Sequence, residues 1–356
     1  MRISALIFLA LLVATPCPVH AQPIVNVGLA APLSGDFQLL GRQWANGVRV
    51  AVNALSGTVQ LVEADTGCTA EGGATAARHL AEADVSVVIG FLCTPAVEAA
   101  MPVLKEAGIP VITPVRTDSL TDRRERTGWP VYRLGPRDDD EQKAVADILL
   151  PRWRDAHFAI VDDGTLYGRE LAENLRAETE LAGLNPVFVD TFRPQLDNQV
   201  GLLGRLRNAG ATHVFVGGDR ADIAIMARDA AELDYDVTFA GGEALRAADG
   251  DVPLPAGILM VGLPKWSDVA TPEALDAFQN AEILAEGYTL PGYAALEVAA
   301  EAARMAASQG VPVEDVLASA SYETALGLVS FEENGDLAQT PYRLFRYDGN
   351  AFTEMD

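Results

Sequence analysis

The sequence has little cysteine, little histidine and little positive charge. Three cysteines and four histidines are spread over 356 residues. His79, His157 and His213 stand far apart, with no CxxC or HExxH spacing, so no metal site is expected. Twenty-six Lys and Arg face fifty Asp and Glu, a formal net charge of −24. A surface of that sign repels nucleic-acid phosphate and anionic lipid, which sets both aside as partners. After residue 21 no apolar run is long enough to cross a bilayer. Also missing are a GxSxG nucleophile elbow, a GxxxxGK[ST] phosphate loop, a GxGxxG turn after the first strand, and any histidine paired with a nucleophile. Neither an enzyme nor a cofactor is therefore expected.

What is present begins with a leader at residues 1–21. Arg2 supplies a short positive start, Ile3 to Val13 form an apolar core broken only by Ser4, and Val19-His20-Ala21 places small residues at −3 and −1 before Gln22. This reads as a cleaved secretory signal, which implies export to the periplasm. Its loss removes Arg2 and takes the formal charge from −24 to −25. Cys17 leaves with it, and Pro16 stands where a lipidated cysteine needs a small residue, which argues against a lipoprotein. Cys68 and Cys93 remain in an oxidising space, where a disulfide is the default; two buried thiols or a metal pair are the alternatives. Both follow predicted strand ends, in Val62-Glu63-Ala64-Asp65-Thr66-Gly67-Cys68 and Val87-Val88-Ile89-Gly90-Phe91-Leu92-Cys93-Thr94. A bond between them would join loops at the carboxyl rim of a sheet, where open α/β sheets bind ligands.

About 335 residues after the leader exceed one core and suggest two domains. Strand-like runs at Val25–Ala30, Val59–Glu63, Val85–Ile89 and Pro110–Ile112 alternate with helical stretches at Gly41–Leu55, Ala70–Ala83 and Val97–Ala107. A second series follows Asp138-Asp139-Asp140: helix Glu141–Trp153, strand Phe158–Val161, helix Tyr167–Ala182, strand Val187–Val189, helix Gln199–Ala209, strand His213–Val216, helix Ala221–Leu233, strand Val237–Ala240. Both read as doubly wound α/β lobes with parallel sheets. Past Ala256 come strand Ile258–Val261, helices Pro272–Ala285, Tyr293–Ser308 and Val313–Ser319, and an expected antiparallel pair, Gly327–Phe331 with Tyr342–Tyr347, around Glu333-Asn334-Gly335-Asp336. These pieces are too thin for a third core, so each completes one lobe. The expected division is residues 22–137 plus 263–327, and residues 138–262 plus 328–356. Several crossings between lobes make a hinge that bends around a ligand.

The order and spacing of Pro32-Leu33-Ser34-Gly35, Asp65-Thr66-Gly67-Cys68, Ile89-Gly90-Phe91-Leu92-Cys93-Thr94, Ile112-Thr113-Pro114-Val115-Arg116-Thr117, Val161-Asp162-Asp163-Gly164-Thr165-Leu166-Tyr167-Gly168, Phe215-Val216-Gly217-Gly218, Gly241-Gly242-Glu243, Tyr293-Ala294-Ala295-Leu296 and Asn334-Gly335-Asp336-Leu337 resemble the leucine/isoleucine/valine-binding proteins. These are type I solute-binding proteins of ABC importers, and the resemblance covers nearly all of the mature chain. It implies a venus-flytrap with three interlobe crossings, a bonded Cys68–Cys93 pair, an amino-acid ligand in the cleft, and delivery by a monomer to a membrane permease. By motif, Thr94 and Thr117 match the groups that hold the ligand carboxylate, helped by the backbone at Val115. Tyr167 and Glu243 match the partners of the ammonium, and Asp138 an acid near the cleft. Hydroxyls and amides near a helix N-terminus suit a carboxylate, and a desolvated ammonium needs an anion.

Two positions depart from the branched-chain pattern. Leu40 stands where an aromatic often covers the ligand, and Asp219 where tyrosine is frequent. Tyr288 offers another aromatic wall, while Arg116 and Pro95 are unusual neighbours of Thr117 and Thr94. An acid at the side-chain pocket would suit a polar or basic amino acid. A ligand without an amine, such as an amide, a urea-like compound or an aromatic acid, is the alternative. Each residue also has a plainer use: Thr94, Thr117 and Asp219 as helix caps, Tyr167 as packing, Asp138-Asp139-Asp140 as a solvated helix start.

Overall fold

The computed structural model describes residues 24–355; the expected leader and Cys17 lie outside them. Strands β1 (Val25–Ala31), β2 (Val59–Asp65), β3 (Val87–Gly90), β4 (Val111–Thr113) and β5 (Val131–Arg133) form a parallel sheet ordered β2-β1-β3-β4-β5. All residues of β3, β4 and β5 are buried. Continuous burial of this kind marks a parallel sheet covered by helices on both faces.

A second sheet has the order β14-β13-β10-β9-β8-β6-β7. Its parallel part comprises β6 (Phe158–Asp162), β7 (Phe188–Thr191), β8 (His213–Gly217), β9 (Thr238–Gly241) and β10 (Leu259–Gly262). Antiparallel β13 (Arg343–Tyr347) and β14 (Phe352–Glu354) close one edge. The chain is thus two doubly wound α/β lobes. In each, the strand order reverses around one strand, β1 in the first sheet and β6 in the second. The carboxyl ends beside those strands open crevices where doubly wound sheets bind ligands.

Two sequence expectations need correction. Gly327–Phe331 does not pair with Tyr342–Tyr347. It contributes β12 (Gly327–Ser330), which forms a separate hairpin with β11 (Ser321–Thr324). Val329 and Phe331 join the core that contains Leu29, Ile89 and Tyr132, so residues 328–331 sit with the first sheet rather than the second. Their apolar side chains find a buried surface there, whereas β13 already pairs with β10 and β14. Strand β5 was not anticipated; it is three residues long and sits at the sheet edge.

The chain passes between lobes after β5, after β10, and before β13. A buried ionic knot ties the first and third passages together. Arg133, with no solvent exposure, donates through Nε to Asp336 at 2.7 Å, and Arg137 reaches the other oxygen of Asp336 at 3.0 Å. Thr121 and Asn334 also donate to Asp336, at 3.1 and 2.8 Å. A carboxylate taken out of water is tolerated when its lone pairs are filled in this way.

Helix Thr289–Gln309 lies against the first sheet and carries one acid on its buried side. Burial pushes the Glu297 carboxyl up to about 7, although one oxygen accepts from the Ala325 amide at 2.7 Å. The folded chain therefore keeps a proton that the unfolded chain releases near the ordinary glutamate value of 4.5. Stability should fall as pH rises from about 4.5 to about 7 and level off above that, because over this interval the unfolded state binds fewer protons. Glu297→Gln should remove that slope and, allowing for partial solvent screening, add about 2 kcal/mol at pH 8. Urea unfolding of both proteins at pH 5 and pH 8 checks this; parallel pH profiles would contradict it.

Candidate functional site

Helix Thr94–Glu106 starts directly after β3, with Cys93 as its N-cap, and Cys93 is bonded to Cys68. Cys68 closes the turn that leaves β2, so the bond fastens two loops at the carboxyl rim of the first sheet. The structure brings Thr94 and Thr117 together, their hydroxyls hydrogen-bonded at 2.7 Å. Arg133 then explains how the second loop faces. Its guanidinium takes the carbonyls of Val115 and Thr117, at 2.5 and 3.1 Å, and turns them inward. The Val115 amide donates to Thr113 Oγ1 at 3.2 Å. Its backbone is spent within the lobe, which leaves the amides of Thr94 and Thr117 without a protein acceptor among the described residues. Two amides and a hydroxyl pair, gathered at the N-terminus of helix Thr94–Glu106 and the loop beside it, have the chemistry to hold an anion.

On the second lobe the expected partners are joined by one that sequence reading missed. Tyr167 opens helix Leu166–Leu181, and its hydroxyl donates to Glu141 Oε1 at 2.7 Å. The Glu243 amide donates to the same oxygen at 2.7 Å, and the Ala244 amide to the Tyr167 hydroxyl at 3.3 Å. Burial first, then the Glu141 charge, drive the Tyr167 phenol well above its ordinary range. Glu243 itself accepts from Arg246 Nε at 2.7 Å and from the Leu263 amide at 2.6 Å. Arg246 also bonds the Leu263 carbonyl, so the pair clasps the chain where it leaves β10. Burial raises the Glu243 carboxyl, and Arg246 opposes that shift.

Gly242 makes this cluster possible. A side chain there would stand 2.3 Å from Glu141 Oε1 and 2.5 Å from the Tyr167 hydroxyl. The Gly-Gly before Glu243 was the signal that could have led to Glu141, since glycine marks a place where other atoms approach closely.

Asp219 takes its plainer role: exposed, it caps helix Arg220–Glu232 by accepting the Asp222 amide at 2.9 Å. Asp138 is exposed and faces Arg116, with 3.5 Å between Nε and Oδ1. Arg116 reaches the Tyr342 hydroxyl at 3.1 Å, and Tyr342 lies on the third passage. Burial raises the Tyr342 phenol; Arg116 lowers it, and Glu141 and Glu243 raise it. That hydroxyl therefore sits in the field of charges from both lobes.

Leu40 is 37% exposed on the first turn of helix Gln38–Ala54, beside the more exposed Phe37 and Leu39. Tyr288 precedes helix Thr289–Gln309, its ring 6.5 Å from that of Trp44. It also lines a cavity of about 600 Å³ with Pro114, Arg116, Leu134, Leu263 and Trp266. The cavity adjoins the three passages; of the expected site residues Tyr288 alone lines it, with Arg116 as the neighbour of Thr117, and Thr94, Thr117 and the Glu141 cluster do not.

This chain is similar to curated proteins in sequence and to solved proteins in fold. A Leu/Ile/Val-binding protein homolog of Brucella melitensis is 26% identical over 346 residues, which cover 93% of this chain and 94% of the relative. An ABC transporter substrate-binding protein of Desulfitobacterium hafniense, solved in complex with Leu, superposes with a TM-score of 0.62 at 20% identity, over 93% of this chain and 99% of that one. An ABC transporter solute binding protein of Rhodopseudomonas palustris, solved with p-hydroxybenzoic acid, gives 0.58 at 17% identity, over 93% and 97%. The two solved proteins share the fold of the present chain. The profile of the periplasmic binding proteins matches residues 24–351, and the chain belongs to that family.

Proposed function

We propose that this protein captures an L-α-amino acid between its lobes in the periplasm and hands it, as a monomer, to the permease of an ABC importer. The observation that carries this reading is the opposition of chemistry across the passages. The first lobe offers hydroxyls and amides at Thr94 and Thr117, and the second offers the acid Glu141 with Tyr167. A zwitterion has one end for each. Splitting its ends between lobes makes ligand binding favour the closed form. The name of the Brucella relative and the leucine held by the Desulfitobacterium protein accord with it. Leu40 and Tyr288 suit an apolar side chain, and Asp138 suits a polar or basic one.

Calorimetry of ligand-stripped protein against the twenty amino acids is expected to find at least one that binds at roughly micromolar affinity or tighter. Binding only of compounds that lack an amine would sink the reading. A second reading, an aromatic or other carboxylic acid without an amine, is favoured by the cation of Arg116 beside Thr117 and by the p-hydroxybenzoic acid of the Rhodopseudomonas protein. Steady turnover of an amide or ester by the purified protein would overturn both.

A further inference from the structure

We propose that Glu141 is the carboxylate that receives the cationic end of the ligand, while Glu243 is a positioning residue that holds the second passage. The assignment rests on the amino-acid reading above and names the recognition group within it.

Bond accounting separates the two acids. Glu243 has a donor on each oxygen, Arg246 Nε at 2.7 Å and the Leu263 amide at 2.6 Å. Its charge is matched by a guanidinium that also holds the Leu263 carbonyl. A second cation would have to break that clasp. Glu141 is 7% exposed, yet only one of its oxygens is served. Oε1 takes both the Tyr167 hydroxyl and the Glu243 amide at 2.7 Å, and Oε2 receives no donor among the described residues. Oε2 is not among the buried atoms that lack a partner, so it is open to an arriving donor.

The surroundings suit an anion there and aim the carboxylate. Glu141 lies in the first turn of helix Asp140–Trp153, where the helix dipole favours an anion. Tyr167 fixes the carboxylate by donating to one oxygen, and the bare backbone of Gly242 leaves room for both groups. The Arg116 guanidinium of the first lobe and Glu141 feel each other's charge. An ammonium seated at Oε2 would find its second carboxylate partner already occupied, because Glu243 is spent on Arg246. Selectivity for an amine then depends on Glu141, and Tyr167 acts through it.

The test titrates wild type, Glu141→Gln, Glu243→Gln and Tyr167→Phe by calorimetry with the tightest-binding amino acid and with its deaminated carboxylic acid. Glu141→Gln is expected to weaken the amino acid about 50-fold or more while changing the deaminated acid by less than about 3-fold. Tyr167→Phe leaves the charge in place and should lower the amine preference by about 5- to 20-fold. Glu243→Gln should lower the melting temperature and keep the wild-type preference. Persistence of the amine preference in Glu141→Gln, or its loss in Glu243→Gln alone, overturns the assignment and leaves the amino-acid reading standing. If Glu141→Gln does not fold, an unchanged preference in Tyr167→Phe overturns it instead. Absence of any amine binding by wild type removes the amino-acid reading and this assignment together.

Discussion

Asp336→Ala is expected to cost about 3–5 kcal/mol of stability, because it strands the buried guanidinium of Arg133. Arg133 has no solvent exposure, and Asp336 is the carboxylate that balances it. Its remaining bonds go to the Val115 and Thr117 carbonyls and the Thr121 hydroxyl, none of which carries charge. Water entering to solvate Arg133 would loosen the loop that presents Thr117, so ligand affinity should fall as well. Urea unfolding reads the first effect and calorimetry the second. The joint replacement of Arg133 and Asp336 by leucine should be less damaging than Asp336→Ala, since it leaves no unpaired charge. A loss under about 1 kcal/mol for Asp336→Ala would mean that Arg133 finds another anion.

Reduction of the Cys68–Cys93 bond is the second large effect. The bond closes a loop with a sequence separation of 25 and is expected to contribute about 2–4 kcal/mol. Its loss should fall on the first lobe alone, since both cysteines belong to that lobe. Thr94 follows Cys93 directly and supplies both a hydroxyl and an open amide to the proposed anion site, so binding should weaken with it. Ligand titration with and without a strong reductant, after thiol counting, checks this; unchanged affinity in fully reduced protein would refute it. Replacement of both cysteines by serine should behave like the reduced form.

Much of the architecture was legible because parallel sheets write themselves plainly. Val87–Gly90 and Phe158–Asp162 are short buried runs set between amphipathic helices, and both emerge as interior strands. The meeting of two loop threonines was legible too. Thr94 and Thr117 come after strand ends, and their meeting at 2.7 Å follows from that placement. What stayed hidden depended on distant partners. In the run Asp138-Asp139-Asp140-Glu141 nothing distinguishes the fourth acid from a solvated helix start; its burial is created by Tyr167 and Gly242, which lie 26 and 101 residues further on. Glu243 looked free because Arg246 and Leu263 carry no motif. Gly327–Phe331 was paired wrongly because a short strand names neither its partner nor its side of the hinge.

Two ties govern how the lobes can move. The Arg133–Asp336 knot holds the first and third passages as one unit, and the Glu243–Arg246 clasp fixes the second at Leu263. Two anchored points define a line. A swing about that line, like a door on its pins, is the relative motion of the lobes that would leave both ties intact. Under the proposed reading, such an axis would bring Thr94 and Thr117 back to the same distance from Glu141 at each closure, and a ligand spanning them would be measured end to end.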